Sequence, residues 1–143
     1  MNTSDFLLLS IVTFVLIDFS ASMVINYLNE NSKNAPLSAE AAEIYNPDEY
    51  ARSMEYGTAK YKFEMLTSVI TTVVILSAII LGWFAKLDLQ IRDRIENNLL
   101  VTIVFVGILI VVSSLSSIPG RYYSTFIIEE KYGFNKTTKK LFI

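Results

Sequence analysis

The sequence predicts an all-α, polytopic membrane protein with three transmembrane helices, and three observations support this fold class. Hydrophobic residues make up 52% of the 143 residues and charged residues only 18%, below the roughly 25% typical of soluble domains. Three apolar segments are each long enough to cross a bilayer as a helix, which takes about 20 residues. An amphipathic segment also runs into the second apolar segment with no proline between them, which predicts an extended helix there.

The three predicted spans cover residues 6–28, 66–85 and 99–118. The second and third contain no charged residue, whereas the first carries Asp18 near its middle. A carboxylate at the bilayer centre costs roughly 2.5–3.5 kcal/mol on insertion scales, so it normally faces protein or water. Two interpretations of Asp18 therefore stay open. It lines an internal polar cavity, or it is a carboxyl group bonded to a Ser or Thr of a neighbouring helix.

The segment before the second span is typical of a helix that starts outside the bilayer. Asn46 is a good N-cap and Pro47 suits the first helical position. A stripe then recurs at helical spacing, at Tyr50, Met54, Gly57, Tyr61 and Met65. We expect one helix from about Pro47 to Ala85, with residues 47–65 amphipathic and their stripe used for packing or docking. A shorter helix is expected over residues 37–45.

The third span is followed by residues that interrupt helices. Pro119 and Gly120 are predicted to break or kink the helix at this point. The serines just before them are small enough to allow close helix approach in lipid. Residues 86–98 are predicted to form the short loop that joins the second span to the third.

Lysine and arginine residues are unevenly distributed between the two predicted sides of the membrane. Nine of the 12 lie in the first loop and the tail, namely Lys33, Arg52, Lys60, Lys62, Arg121, Lys131, Lys136, Lys139 and Lys140. The other three are Lys86, Arg92 and Arg94. Because cytoplasmic loops carry an excess of Lys and Arg, we expect a cytoplasmic first loop and C-terminal tail, with the N-terminus outside.

Two residue types that many hydrolytic sites need are missing from the sequence. It contains no histidine and no cysteine, whereas an HExxH zinc site needs two histidines and a Ser-His-Asp site needs one. We therefore expect no catalytic residue, metal site or cofactor in this chain. The adjacent Glu129 and Glu130 point in different directions on a helix, which favours a solvated turn over a catalytic carboxylate pair. A net charge of −2 without a basic excess argues against nucleic acid as a partner.

Several blocks of sequence occur in an order that points to a known family. The first is NPDEYARS at residues 46–53, followed by Tyr56 and by KYKF at residues 60–63. After the third span come STF at residues 124–126 and IEEKYGFNK at residues 128–136. Together they resemble the N-terminal membrane region of integral-membrane CAAX prenyl endopeptidases, a family of zinc metalloproteases. The more specific block is the tail, residues 123–138, whose motif residues are Glu129, Glu130, Lys131, Gly133, Phe134, Asn135 and Lys136. Gly133 is expected to mark a turn, with Phe134 packing inward.

The resemblance implies a multi-span helical barrel around an internal chamber, where a zinc ion held by HExxH and a downstream Glu cuts prenylated CAAX substrates. None of those ligands can be placed in this sequence. The implied identity is therefore a single N-terminal membrane domain over residues 1–143, truncated before the catalytic domain and inactive alone. Its implied role is to form part of the chamber wall. Its implied partners are the lipid bilayer, the remaining helices and protease domain of the parent, and the prenylated or hydrophobic peptide that the parent cleaves.

Two other functions fit the sequence. The first is a stand-alone membrane adaptor or regulator that kept this domain without the enzyme. The second is a small homo-oligomeric channel with Asp18 in its pore. Against the channel, three spans with one buried charge and no polar stripe offer little to line a pore.

Overall fold

The computed structural model describes residues 2–32 and 46–142, and within these ranges it contains helices and turns but no strand. The predicted helix over residues 37–45 lies outside the described residues. The helices in chain order are α1 (Thr3–Ser32), α2 (Pro47–Ile80), α3 (Trp83–Arg92) and α4 (Asn98–Tyr123), then a π-helical segment (Ser124–Glu129) and the short helices α5 (Glu130–Tyr132) and α6 (Lys139–Phe142).

Three helical segments are long and apolar enough to cross a membrane, namely α1, α2 and the continuous stretch Asn98–Tyr132. This confirms the predicted all-α, three-span fold class. The described residues bury very little apolar surface against one another. α1 has no buried residue, and the buried hydrophobic side chains of the described part are Ala78, Ile91, Val101 and Ile128. Because a water-soluble helix buries its apolar stripe in a core, the exposed apolar surface here requires lipid or further helices to cover it.

The start of α2 is fixed by the residue that the sequence identifies as its cap. The Asn46 Oδ1 atom accepts a hydrogen bond from the Asp48 backbone N–H at 3.0 Å, and its carbonyl accepts from the Tyr50 N–H at 3.0 Å. The predicted N-cap is therefore confirmed. Every residue of the stripe that follows is partly shielded from solvent, namely Tyr50, Met54, Gly57, Tyr61 and Met65.

The prediction that this helix runs to Ala85 is wrong, because α2 ends at Ile80. Gly82 adopts a left-handed conformation with φ 68°, which a glycine accepts without the steric penalty of a Cβ atom. The Gly82 N–H donates to the carbonyl of Ile79 at 3.1 Å, and this turn closes the helix. The chain then re-enters a helix at Trp83.

The predicted loop over residues 86–98 is also wrong in its first half, which belongs to α3. The apolar residues Phe84, Leu87 and Ile91 recur at spacings of three and four, and all three are at least partly buried. This spacing places them on one face of a helix. The periodicity is present in the sequence, but it is brief and follows directly on an apolar span.

A polar network joins α3 to α4. Arg92 Nε donates to Asp88 Oδ2 at 2.7 Å, and Arg92 Nη1 donates to Asn98 Oδ1 at 2.9 Å. The hydrogen bond to Asp88 raises the pKa of the exposed Arg92 above its ordinary value. Asn97 Oδ1 accepts from the backbone N–H groups of Leu99 and Leu100 at 2.9 and 3.3 Å, so it caps the start of α4.

Of the predicted break or kink at Pro119 and Gly120, the break is wrong, and the kink stays a prediction. α4 continues through Pro119 to Tyr123 and then into the π-helical segment. A proline removes one backbone donor, but membrane helices tolerate it because nearby groups satisfy the backbone polar atoms left behind. Close helix approach occurs at Gly120 and not at the preceding serines, which are exposed. A Cβ atom added to Gly120 would lie 3.9 Å from Phe63 Cζ of α2.

The described residues form two compact units. The first comprises Met1–Phe19 and Val69–Ile118, and the second Ser20–Ser68 and Pro119–Ile143. The buried residues Ala78, Ile91 and Val101 belong to the first unit, whereas Ile128 belongs to the second. The second unit also contains all the aromatic contacts described below.

Candidate functional site

The second unit holds a cluster of stacked aromatic side chains that joins α2 to the tail. The Tyr56 ring lies 4.8 Å from the Phe134 ring and 6.0 Å from the Tyr132 ring. About two turns further along α2, Phe63 stacks on Tyr123 at 4.9 Å. Such pairs stabilise by about 0.5–1.5 kcal/mol each beyond the area they bury. We call the residues in these contacts the aromatic cluster, which consists of Tyr56, Phe63, Tyr122, Tyr123, Phe126, Tyr132, Phe134 and Phe142.

A second part of the cluster holds α6 against the end of the third span. Phe142 lies 5.8 Å from Tyr122 and 5.3 Å from Phe126, both edge-on. Tyr122 and Phe126 are themselves 4.8 Å apart. The tail therefore folds back on α4 and the π-helical segment instead of extending away from them.

Lys60 is a charged residue that contacts Tyr56 of the aromatic cluster. Its Nζ atom donates to the Tyr56 hydroxyl at 3.4 Å and lies 5.7 Å from the centre of that ring. The negative charges of Glu64 and Glu129 also attract it. Elsewhere in the same unit, the Thr58 hydroxyl donates to Glu30 Oε1 at 2.6 Å, which links α2 to α1. The part of α2 before its apolar span is thus held by both polar and aromatic contacts.

The tail motif forms a helix end of a well-known geometry. Gly133 has φ 77°, the Phe134 N–H donates to the Glu129 carbonyl at 2.9 Å, and the Gly133 N–H donates to the Glu130 carbonyl at 3.1 Å. These two bonds define a Schellman motif. The expected turn at Gly133 is present, and it directs Phe134 onto Tyr56, although 42% of Phe134 stays exposed.

The polar residues of the tail motif bond mainly to one another. Asn135 Nδ2 donates to Glu130 Oε2 at 2.6 Å, and Asn135 Oδ1 accepts from the Thr137 N–H at 2.7 Å. Lys131 Nζ lies 5.0 Å from the centre of the Tyr132 ring, and Lys136 is exposed. These contacts shape the turn, and none of them brings two carboxylates together over a shared substrate position.

Asp18 belongs to the first unit and is exposed on α1. Within residues 2–32 and 46–142 no side chain bonds to its carboxylate, so the Ser or Thr partner of the second interpretation is not found there. The sequence analysis did not identify the polar residues that share the helix face of Asp18. Ser22, Asn26 and Asn29 follow it at spacings of four, four and three, which places all four residues on one face of α1.

Comparison with known proteins decides the family. The profile of the family described as CAAX prenyl protease N-terminal, with five membrane helices, matches residues 25–143. The chain belongs to this family. The resemblance carried by the tail and by residues 46–63 is thereby confirmed.

Individual members of the CAAX prenyl protease family match along most of the chain. The CAAX prenyl protease 1 homolog of Dictyostelium discoideum is 29% identical over 141 residues, covering 92% of this chain and 33% of the relative. The probable CAAX prenyl protease 1 of Schizosaccharomyces pombe is 33% identical over 115 residues, covering 71% of this chain and 24% of the relative. The crystal structure of S. mikatae Ste24p matches with a TM-score of 0.78 and 26% identity, covering 93% of this chain and 32% of that one.

The chain thus corresponds to the N-terminal membrane part of CAAX prenyl proteases. It spans between 23% and 33% of the length of the curated relatives it matches. The family is described with five membrane helices, and the described part of this chain contains three candidate spans.

The residues of this chain do not fit the zinc site that the CAAX prenyl protease family implies. Zinc in proteins is bound by Cys sulfur, His nitrogen and Asp or Glu oxygen, and hydrolytic sites of the HExxH type need two histidines. The sequence has no histidine or cysteine. In the described ranges no three carboxylates come close enough to hold a metal ion.

Replacing Gly133 by alanine is expected to destabilise the second unit by about 1–2 kcal/mol, because an L residue with a Cβ atom is strained in the left-handed conformation. A Cβ atom there would meet nothing within 4 Å, so the penalty is conformational only. Unfolding in mixed micelles by SDS titration measures it. Gly107→Ala is the matched control, because Gly107 lies inside α4 in open space and alanine should be neutral or slightly stabilising there. Equal effects of the two substitutions would contradict the assigned turn.

Proposed function

We propose that this chain forms part of the wall of the membrane-embedded chamber of a CAAX prenyl endopeptidase and does not cleave peptides alone. The observation that carries the proposal is the uncovered apolar surface of its spans. α1 buries none of its residues among the described part of the chain, although 92% of the chain aligns with a relative, of which it covers only 33%. Helices of this kind are suited to pack against the further helices of the longer protein, with lipid outside.

The proposal also accounts for Asp18 and its polar companions. A carboxylate at mid-span that faced lipid would carry an insertion cost of about 2.5–3.5 kcal/mol. The helix avoids that cost if its polar face, with Asp18, Ser22, Asn26 and Asn29, borders a hydrated chamber. This chamber would receive a prenylated or other hydrophobic peptide. The zinc ion of the full-length enzyme would then be held by residues outside this sequence, and no chemical step is assigned to residues 1–143.

We also propose that the first loop and the tail lie on the cytoplasmic side, with the N-terminus outside. Nine of the 12 Lys and Arg residues support this orientation. The proposed placement puts the aromatic cluster and the Schellman turn at the cytoplasmic end of the chain's helices.

A chimeric enzyme tests the proposed function. Residues 1–143 replace the matching region of the Saccharomyces cerevisiae CAAX prenyl protease 1, which is 32% identical over 104 residues. We expect the chimera to cleave a prenylated CAAX peptide in a zinc-dependent manner, while the same relative without this region and the chain alone stay inactive. Zinc-dependent cleavage by the chain alone would contradict the proposal.

A homo-oligomeric channel is the second candidate, and the observation that favours it is the exposed Asp18 carboxylate on α1. In that case the chain alone, reconstituted in liposomes, would conduct ions, and Asp18→Asn would abolish the flux. Ion flux that depends on Asp18 would contradict the chamber-wall proposal and support the channel. An adaptor or regulator function has no observation of its own in its favour.

A further inference from the structure

Four lysines lie at the end of the third span, Lys131 in its last turn and the other three just after it. Lys131, Lys136, Lys139 and Lys140 are all exposed, and the span closes at Tyr132. Two carboxylates lie in the same segment, those of Glu129 and Glu130, and Glu130 accepts a hydrogen bond from Asn135. Across residues 2–32 and 46–142, none of the four lysines has a carboxylate within ion-pair distance. With four lysines against two glutamates, residues 129–140 therefore carry a net charge of +2.

The lysines are held close to the end of the span and not on a free tail. The Schellman turn at Gly133 fixes the start of the segment. At its other end, Phe142 packs edge-on against Tyr122 and Phe126. Lys139 and Lys140 lie in the same short helix as Phe142, so the aromatic contacts hold them near the end of α4.

The distribution of tyrosines is typical of a region at a membrane surface. The tyrosines of residues 2–32 and 46–142 all belong to the second unit and none to the first, namely Tyr27, Tyr50, Tyr56, Tyr61, Tyr122, Tyr123 and Tyr132. Tyrosine is enriched where the hydrocarbon core meets the headgroups. Leu141, next to Lys140, is 78% exposed, and an apolar side chain beside lysines suits the boundary between acyl chains and headgroups.

We propose that Lys131, Lys136, Lys139 and Lys140 bind the headgroups of anionic phospholipids in the leaflet where the third span ends. Clusters of four to eight Lys or Arg residues directly beside a transmembrane helix recruit anionic lipids. The charge complementarity and the aromatic anchoring at headgroup level favour lipid over an acidic protein surface. The binding is independent of the proposed chamber-wall function.

Energy transfer to labelled lipids tests the proposal on the full chain. Because the sequence has no cysteine, Thr138→Cys provides a single site for a donor dye beside the lysines. The protein is reconstituted in phosphatidylcholine bilayers that contain traces of acyl-chain-labelled phosphatidylserine or phosphatidylcholine. We expect stronger transfer to phosphatidylserine at low salt. That excess should disappear near 1 M salt, where the Debye length falls to about 3 Å.

Two double variants complete the test. Lys139→Gln with Lys140→Gln should lower the phosphatidylserine excess at least about fivefold, since each lysine near the surface contributes about fivefold, or about 1 kcal/mol. Lys86→Gln with Arg94→Gln removes two exposed charges from the first unit. This double variant should leave the phosphatidylserine excess unchanged. A donor at Gln90→Cys, also exposed in the first unit, should report less enrichment. Equal transfer to both lipids at low salt would overturn the proposal and leave an acidic protein partner as the explanation of the charge.

Discussion

Replacing Asp18 by leucine is expected to make membrane insertion of α1 more favourable by about 3–4 kcal/mol. On insertion scales an aspartate at the helix centre costs about 2.5–3.5 kcal/mol, whereas a leucine contributes about −0.3 to −0.6 kcal/mol. The described part of the chain offers Asp18 no bonding partner that would offset its cost. The effect should therefore appear nearly in full when α1 inserts as part of this chain.

The apparent free energy of insertion by the translocon, read from glycosylation of flanking sites in the full chain, measures this effect. Asp5→Leu is the matched control. Asp5 lies at the first turn of α1, where its carboxylate accepts a hydrogen bond from the Asn2 N–H at 3.1 Å and reaches water. We expect that control to change insertion by less than about 1 kcal/mol, because the cost of a charge falls toward the interface. Similar shifts at Asp5 and Asp18 would show that Asp18 is not at mid-membrane.

The Asp18 result bears on which side of α1 meets lipid. A helix with a carboxylate at mid-span has one face that must contact protein or water instead of lipid. Ser22, Asn26 and Asn29 extend that face toward the end of α1. The opposite face, with exposed residues such as Ile17 and Val24, carries no charged residue at mid-span and is suited to lipid.

Local chemistry in the sequence was enough to predict where α2 begins. The Asn46 cap acts on a donor only two residues away, so the signal lies within one short window. The end of α2 was harder to predict because Leu81, Gly82 and Trp83 continue the apolar run without a charge. Hydropathy extends through such a turn, whereas the left-handed glycine that stops the helix depends on the conformation of a single residue.

The sequence predicted the turn in the tail but not the residues of α2 against which the tail packs. Gly133 was expected to mark a turn, because glycine commonly ends helices in the left-handed conformation. The residues that receive the tail were not predicted. Tyr56, Lys60 and Phe63 lie between the positions of the predicted stripe in the sequence, but about 100–160° around the helix from its middle. When a helix packs on two faces, only the face with the more regular spacing of apolar residues can be recognised in the sequence. The spacing does not indicate which segment, some 70 residues later, packs against the second face.

Replacing Tyr56 by alanine is expected to destabilise the second unit by about 2–3 kcal/mol. The change removes two aromatic pairs, with Phe134 and Tyr132, each worth about 0.5–1.5 kcal/mol. It also removes the acceptor of the Lys60 ammonium group. Because the turn at Gly133 directs Phe134 onto this ring, its loss should release the tail from α2 before the helices separate.

SDS titration in mixed micelles measures the free energy of unfolding, and limited proteolysis of residues 133–142 reports release of the tail. Tyr27→Ala is the matched control, because Tyr27 is 61% exposed in the same unit, and it should cost less than about 0.5 kcal/mol. Tyr56→Phe keeps both ring contacts and loses only a 3.4 Å hydrogen bond, so it should cost well under about 1 kcal/mol. If Tyr56→Ala matched Tyr27→Ala in both measurements, the aromatic cluster would not be what holds the tail to α2. The Schellman turn and the Phe142 contacts would then have to position the four lysines alone.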